Sequence, residues 1–192
     1  YFYTIIPFHH KKSMKRIAID MDEVIADPVW KFQQLVKRDY GIEVKRSDFR
    51  GGKIYELFPP EERKAVRGYL FEKGFFADLP VIPFSQEVVQ KLSQRYEIFI
   101  TTAASEFKYS LEDKYEWLQQ HFPFISWKNF VFCGDKSIIN ADYMIDDHVK
   151  NLVSFDGHGL LFTASHNLDE TRFTRVNDWL EVQAFFEAEE KK

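Results

Sequence analysis

Two aspartates two residues apart close the apolar run Ile17-Ala-Ile-Asp20-Met-Asp22. Side chains two apart on an extended strand point the same way. Two carboxylates held side by side repel each other unless a cation or a shared proton compensates them; the alternative is a pair of solvated loop aspartates. A second run, Tyr96-Glu-Ile-Phe-Ile-Thr-Thr102-Ala103-Ala104, ends in hydroxyls followed by small residues that leave backbone amides accessible. An anion can dock there, although hydroxyls at strand ends also serve turns. Lys114 flanks the helical stripe Leu111, Tyr115, Leu118 and Phe122, where a lysine either snorkels to water or reaches an anion at the sheet edge. A third apolar run, Asp142-Tyr-Met-Ile-Asp146-Asp147-His148, ends in another acid pair. Hard oxygen ligands without a clear histidine or cysteine set favour magnesium, which takes one or two carboxylates and keeps several waters.

These groups need elements that bring them together. Short apolar runs rich in β-branched or aromatic residues at 16–20, 97–102, 129–133, 143–146 and 159–163 read as buried strands. Helical patterns at 86–95 and 111–122 lie between the later ones. The alternation predicts an α/β fold: a three-layer, doubly wound parallel sheet with both faces covered. Ligands of such sheets sit at the carboxyl ends of the strands, where both acid pairs, the hydroxyls and the lysine converge.

Residues 28–80 break the alternation, with helical patterns at 29–40 and 61–72, punctuation at Gly51-Gly52 and Pro59-Pro60, and no clear strand. The expected division is an N-terminal extension at 1–13, a catalytic core at 14–27 and 81–192, and a small helical cap at 28–80 inserted after the first strand. Asp27-Pro28 suits a helix start, with Asp as N-cap and Pro at the first helical position. The acidic, lysine-ended stretch 187–192 reads as a solvated helix end or a frayed tail.

A chain of 192 residues, 45% of them hydrophobic, supports one full core with an insertion. Its 20 Phe, 9 Tyr and 4 Trp supply core packing and rings for a pocket that takes flat ligands. A net charge of −4 and a pI near 5.9 argue against a nucleic-acid polymer as partner, since phosphate tracking needs a basic face, and leave small phosphorylated molecules. Cys133 is the only cysteine, which suits a reducing compartment, with the cytoplasm as default. No apolar run approaches the roughly 20 residues of a membrane span. The opening YFYTIIPFHHKKS lacks a signal-peptide pattern, and residues 1–13 are set aside as an extension without a functional role.

The four motifs in this order resemble the haloacid dehalogenase superfamily and, more narrowly, the 5'(3')-deoxyribonucleotidase family. The resemblance runs from about Met14 to Trp179 and includes Glu112-Asp-Lys114-Tyr-Glu-Trp117, Asp135-Lys136 and Leu161-Phe-Thr-Ala-Ser-His166-Asn167. It implies Asp20 as nucleophile, Asp22 as general acid and base, and Thr102, Ala103 and Lys114 as phosphate-binding positions. It also implies a Mg2+ site formed by Asp20, Asp22 through its carbonyl, and Asp146 and Asp147. Lys136, His166 and Asn167 match without an assigned step. The sequence departs from the family pattern at Glu23, where many relatives carry Gly, at Ala103, where animal relatives carry Ser, and at His148, which replaces a more basic residue. Aromatics that grip the base in animal relatives fall near Pro28 and Leu70, which leaves base preference open. Because the motifs act only on the phosphoryl group, selectivity is expected from the cap, with Tyr55, Phe71, Phe75 and Phe76 as the candidate pocket rings. The implied activity is dephosphorylation of (deoxy)nucleoside monophosphates by a homodimer. A phosphatase of sugar phosphates shares the same motifs, and a phospho-accepting signalling domain collects similar residues but has no insertion after its first strand.

Overall fold

The computed structural model describes residues 14–191; the extension expected at 1–13 lies outside them. Six strands form one parallel sheet: β1 (Arg16–Asp20), β2 (Glu97–Thr102), β3 (Phe130–Phe132), β4 (Tyr143–Asp146), β5 (His158–Phe162) and β6 (Thr174–Val176), in the order β3-β2-β1-β4-β5-β6. The order reverses at β1, and that switch point is where a crevice opens at the strand ends. The register pairs Asp20 with Thr101 and Ile19 with Ile145, so Asp20 emerges beside Thr102 on one side and Asp146 on the other. Ile17, Ala18 and Ile19 are wholly buried, because parallel strands are covered on both faces. Ala18, Met144 and Leu161 pack with Leu152 and Phe155 on one face, and a much larger apolar cluster fills the rest.

The six helices are α1 (Pro28–Tyr40), α2 (Pro60–Gly68), α3 (Ser85–Leu92), α4 (Ser110–His121), α5 (Val149–Val153) and α6 (Trp179–Glu189), with short 3-10 turns between elements. The sequence anticipates four of these within a few residues, but the helix expected over 61–72 ends at Gly68 and tightens into a 3-10 turn at Tyr69–Phe71. β6 escapes the sequence because Thr174-Arg-Val176 has only three residues and one buried side chain; it is an edge strand defined by pairing with β5. The expected helix start holds, since the Asp27 side chain accepts from the Trp30 amide at 3.0 Å and Pro28 opens the helix.

Among the described residues, 28–80 contains helices and turns but no strand. Its two ends are tied together where Asp27 N–H donates to Pro80 O at 2.9 Å and Ile82 N–H donates to Ile25 O at 2.8 Å. The insertion has no separate core. Phe32, Phe58, Tyr69 and Phe75 belong to the same apolar cluster as Ile17 and Ile19 of the sheet. Helix α4 holds the returning segment: Asp113 Oδ2 accepts from the amides of Gly74 at 3.0 Å and Phe76 at 3.4 Å, and Trp117 Nε1 donates to Leu79 O at 2.8 Å. A second attachment lies at the turn around Gly51, whose amide donates to Ser165 O at 2.6 Å.

Candidate active site

β1 delivers Asp20 to the centre of the strand-end crevice, 6% exposed. Lys136, from the turn after β3, places Nζ 2.6 Å from Asp20 Oδ1 and 2.7 Å from Asp146 Oδ2. Burial pushes the Asp20 carboxyl up, Lys136 opposes that, and Asp146 adds to it. Burial alone would lower Lys136, but Asp20 and Asp146 more than offset it and hold the ammonium above its ordinary range. On the other side of β1, buried Lys114 donates to Asp22 Oδ2 at 2.5 Å and to Thr102 Oγ1 at 3.0 Å. Lys114 therefore does not snorkel outward; its stem crosses the apolar layer and its head meets the strand ends. Ala103 follows Thr102 and lines the same cleft.

Asp146 is saturated. Its oxygens accept from Lys136, from the His148 amide at 2.8 Å, and from Asn151 Nδ2 at 2.9 and 3.0 Å. Asp147 Oδ1 is buried without a hydrogen-bond partner, as is Asp22 Oδ1. Burial and then the charges of Asp20, Glu23 and Asp146 push the Asp147 carboxyl well above the usual carboxylate range. Oxygens of Asp20, Asp146 and Asp147 lie within 4.8 Å of one another. Two lysines thus face four carboxylates, and the remaining negative charge and the unpartnered Asp147 Oδ1 suit a divalent, oxygen-preferring cation. Asp147, His148 and His166 form a second group with comparable spacing, but the Lys53 ammonium already stands against both ring nitrogens, 3.4 Å from His148 Nε2 and 3.1 Å from His166 Nδ1.

The matched residues without an assigned step now have positions. Lys136 bridges Asp20 and Asp146 as described. Asn167 Nδ2 donates to the carbonyls of Asp147 and Phe162, both at 2.8 Å, while its Oδ1 accepts from the Ala164 amide at 3.2 Å; it fixes the backbone that carries Asp147. His166 Nε2 lies 3.2 Å from Asp147 Oδ2. Its ring stacks on His148 with centroids 4.5 Å apart. Burial, followed by Lys53, lowers both imidazoles, His148 to about 3.

A cleft of about 300 Å³ opens above these groups, with Asp20, Asp22, Lys136 and Asp147 at its polar part and the insertion supplying apolar wall. The four candidate rings separate. Tyr55 and Phe76 line the cleft, but Phe76 is only 2% exposed, with Lys114 Nζ 4.6 Å from its ring centre, so it supports the lysine more than it offers a free face. Phe75 does not line the cleft: it is buried between Phe32 at 5.1 Å and Phe76 at 4.8 Å. Phe71 does not either; it is 46% exposed and packs edge-on against Phe107 at 5.2 Å. The sequence reading missed Phe32, Phe49 and Phe107, which do line the cleft. Phe32 falls on the apolar face of α1, which at helical spacing reads as core. Phe107 could have been found, since it follows the small residues after Thr102. Pro28 and Leu70, the positions matched to base-gripping aromatics, also lie in the wall.

Residues 13–190 match the family described as 5' nucleotidase, deoxy (pyrimidine), cytosolic type C protein. A protein of Staphylococcus epidermidis, provisionally named 5'(3')-deoxyribonucleotidase, is 46% identical over 93% of this chain and 99% of its own. A 5'(3')-deoxyribonucleotidase of Bacillus subtilis is 39% identical over 88% of this chain and 96% of its own. Among solved structures, a haloacid dehalogenase-like hydrolase from Streptococcus pneumoniae superimposes with a TM-score of 0.57 at 15% identity, covering 90% of this chain and 98% of that one. The fold is haloacid dehalogenase-like, and the chain belongs to the 5' nucleotidase, deoxy (pyrimidine), cytosolic type C family.

Proposed function

We propose that the protein is a magnesium-dependent 5'(3')-deoxyribonucleotidase of the cytoplasm that dephosphorylates (deoxy)nucleoside monophosphates through an aspartyl-phosphate on Asp20, with residues 28–80 as its cap. The observation that carries this reading is the arrangement around β1. A buried carboxylate stands at the switch point, flanked by one lysine that reaches a hydroxyl and a second carboxylate, and another that reaches an acid cluster.

The Asp20 carboxylate attacks phosphorus, forming the Asp20–phosphoryl bond as the bond to the sugar oxygen breaks. Thr102, the small residue Ala103 and Lys114 hold the phosphoryl oxygens. A phosphoryl group docked at Thr102 draws Lys114 toward itself, and its negative charge beside Asp22 supports the protonated carboxyl that the leaving oxygen requires. Asp22 gives that proton to the sugar oxygen. It then takes one from the incoming water, whose attack releases phosphate and regenerates Asp20. Lys136 opposes the effect of burial on Asp20 and aims its carboxylate. Asp20, the Asp22 carbonyl and Asp147 would hold magnesium, with Asp146 in support; when bound, the ion supplies positive charge for the phosphoryl oxygens and the acid cluster.

Selectivity falls to the cleft wall, since the strand-end groups touch only the phosphoryl group. Phosphate release should be measured from deoxynucleotides, ribonucleotides, sugar phosphates and a small aryl phosphate, with and without exhaustive chelation. Deoxynucleotides are expected to give the highest kcat/KM, and activity to vanish on chelation and return with Mg2+. A preference for sugar phosphates would overturn the substrate assignment, and full activity after chelation would overturn the metal.

A further inference from the structure

Resting on that reading, we infer that Lys53 is a positioning residue: it clips the insertion to the catalytic loops and sets the cleft wall at the height a nucleoside requires. The Lys53 ammonium lies between three acceptors from three separate core loops: Glu23 Oε2 at 3.4 Å, His148 Nε2 at 3.4 Å and His166 Nδ1 at 3.1 Å. An ammonium has three donors, so this set accounts for all of them. With His166 Nδ1 accepting from Lys53, the ring proton sits on Nε2 and donates toward Asp147, 3.2 Å from both its Oδ2 and its carbonyl. The chain of contacts runs from the insertion to the acid cluster without a gap.

The backbone around Lys53 is built for this contact. Gly51, at φ +80, donates its amide to Ser165 O beside His166. The Lys53 amide is held by Glu56 Oε2 at 3.0 Å, and a Cβ on Gly52 would come within 2.5 Å of that oxygen. Tyr55, a half-buried ring of the wall, is two residues further on. Glu23 carries the second piece of evidence. It is one of two non-glycine residues with positive φ among the described residues, at +58, a conformation that disfavours any residue with a Cβ. Its carboxylate is nonetheless placed against Lys53 and 10% exposed.

The insertion is therefore attached in two unlike ways. At Gly74–Leu79 the attachment is buried, through Asp113 and Trp117. At Lys53 it is polar and borders the cleft, where the side chain is 29% exposed. The polar attachment is the one that can release to admit a nucleoside and re-form over it.

The test is steady-state kinetics of K53M, K53R and E23G on a deoxynucleotide and a small aryl phosphate, with thermal midpoints and amide hydrogen exchange over residues 50–57. K53M is expected to raise KM for the deoxynucleotide at least tenfold with a smaller change in kcat, to lose at least fivefold less on the aryl phosphate, and to exchange faster over 50–57. K53R should restore most of the KM. E23G relieves the backbone strain but removes the carboxylate, so its thermal midpoint should stay level or rise while KM still rises. KM changes that merely track the thermal midpoint across the three variants, or K53M kinetics and exchange like wild type, would overturn the assignment. Wild-type enzyme that does not prefer the deoxynucleotide overturns the substrate reading instead, and the exchange data then still report whether Lys53 is the clip.

Discussion

The strand-end site and the insertion wall are built on different rules. At the strand ends charged groups are tied across neighbouring elements: Lys136 joins Asp20 to Asp146, and Lys114 joins Asp22 to Thr102. Backbone register fixes where those groups stand. In the wall, rings are held by other rings, as Phe32 and Phe76 are by the buried Phe75 behind them, and which face is left open depends on that packing. On the proposed function, chemistry common to many phosphoesters falls to the strand ends, and discrimination between esters falls to the part whose details packing decides.

The sharpest way to break this comparison is at Asp20. Asp20→Asn keeps the shape but is a very poor nucleophile, and kcat should fall at least about 1,000-fold on every substrate, with the fold intact by circular dichroism. A variant that lost only nucleotide turnover would move the chemistry away from β1.

Lys136→Met tests whether pairing holds the core site together. It leaves Asp20 and Asp146 buried without their shared ammonium, so urea unfolding should show a loss of about 3–5 kcal/mol. Adding Mg2+ should recover part of that loss, because a cation again faces the acids.

In the wall, Tyr55→Leu and Phe107→Leu should each shift the ratio of deoxynucleotide to aryl-phosphate kcat/KM by about 5–150-fold, the equivalent of about 1–3 kcal/mol of base stacking. Phe71→Leu, which lies outside the cleft, should stay within about twofold of wild type. Phe76→Leu should depress both substrates together, since its ring supports Lys114. Equal effects at Tyr55 and Phe71 would erase the distinction between wall and exterior.

The smallest effect concerns the insertion's own bracing. Asp39 pairs with Arg38 at 2.6 Å and accepts from the Tyr69 hydroxyl at 2.6 Å, and these partners, Arg38 first, hold its carboxyl down to about 2. A depressed carboxyl contributes stability that is full above its ordinary value near 3.8 and is lost as pH falls through about 2. Asp39→Asn should therefore flatten a small part of the acid-unfolding profile over that range, measured by tryptophan fluorescence, with a small loss of stability near neutral pH and none once the pH falls below about 2.

The sequence by itself determined the parallel sheet, the insertion after β1 and the acids and hydroxyl at the strand ends. The reason is local: an apolar run buried on both faces that stops at a charged residue marks the end of a strand, and the 3.6-residue repeat marks the helices between. Lys114 illustrates the limit, since its place on the flank of an apolar stripe left water and anion equally open until α4 was seen to turn it toward Asp22. Only tertiary structure decided that Lys136 bridges Asp20 and Asp146, that Lys53 stands against Glu23, His148 and His166, and that Phe75 is core while Phe107 is wall. Those contacts join residues far apart in the chain, such as Lys53 with His166 and Phe71 with Phe107. No periodicity encodes them, because they depend on how the insertion folds back over the strand ends.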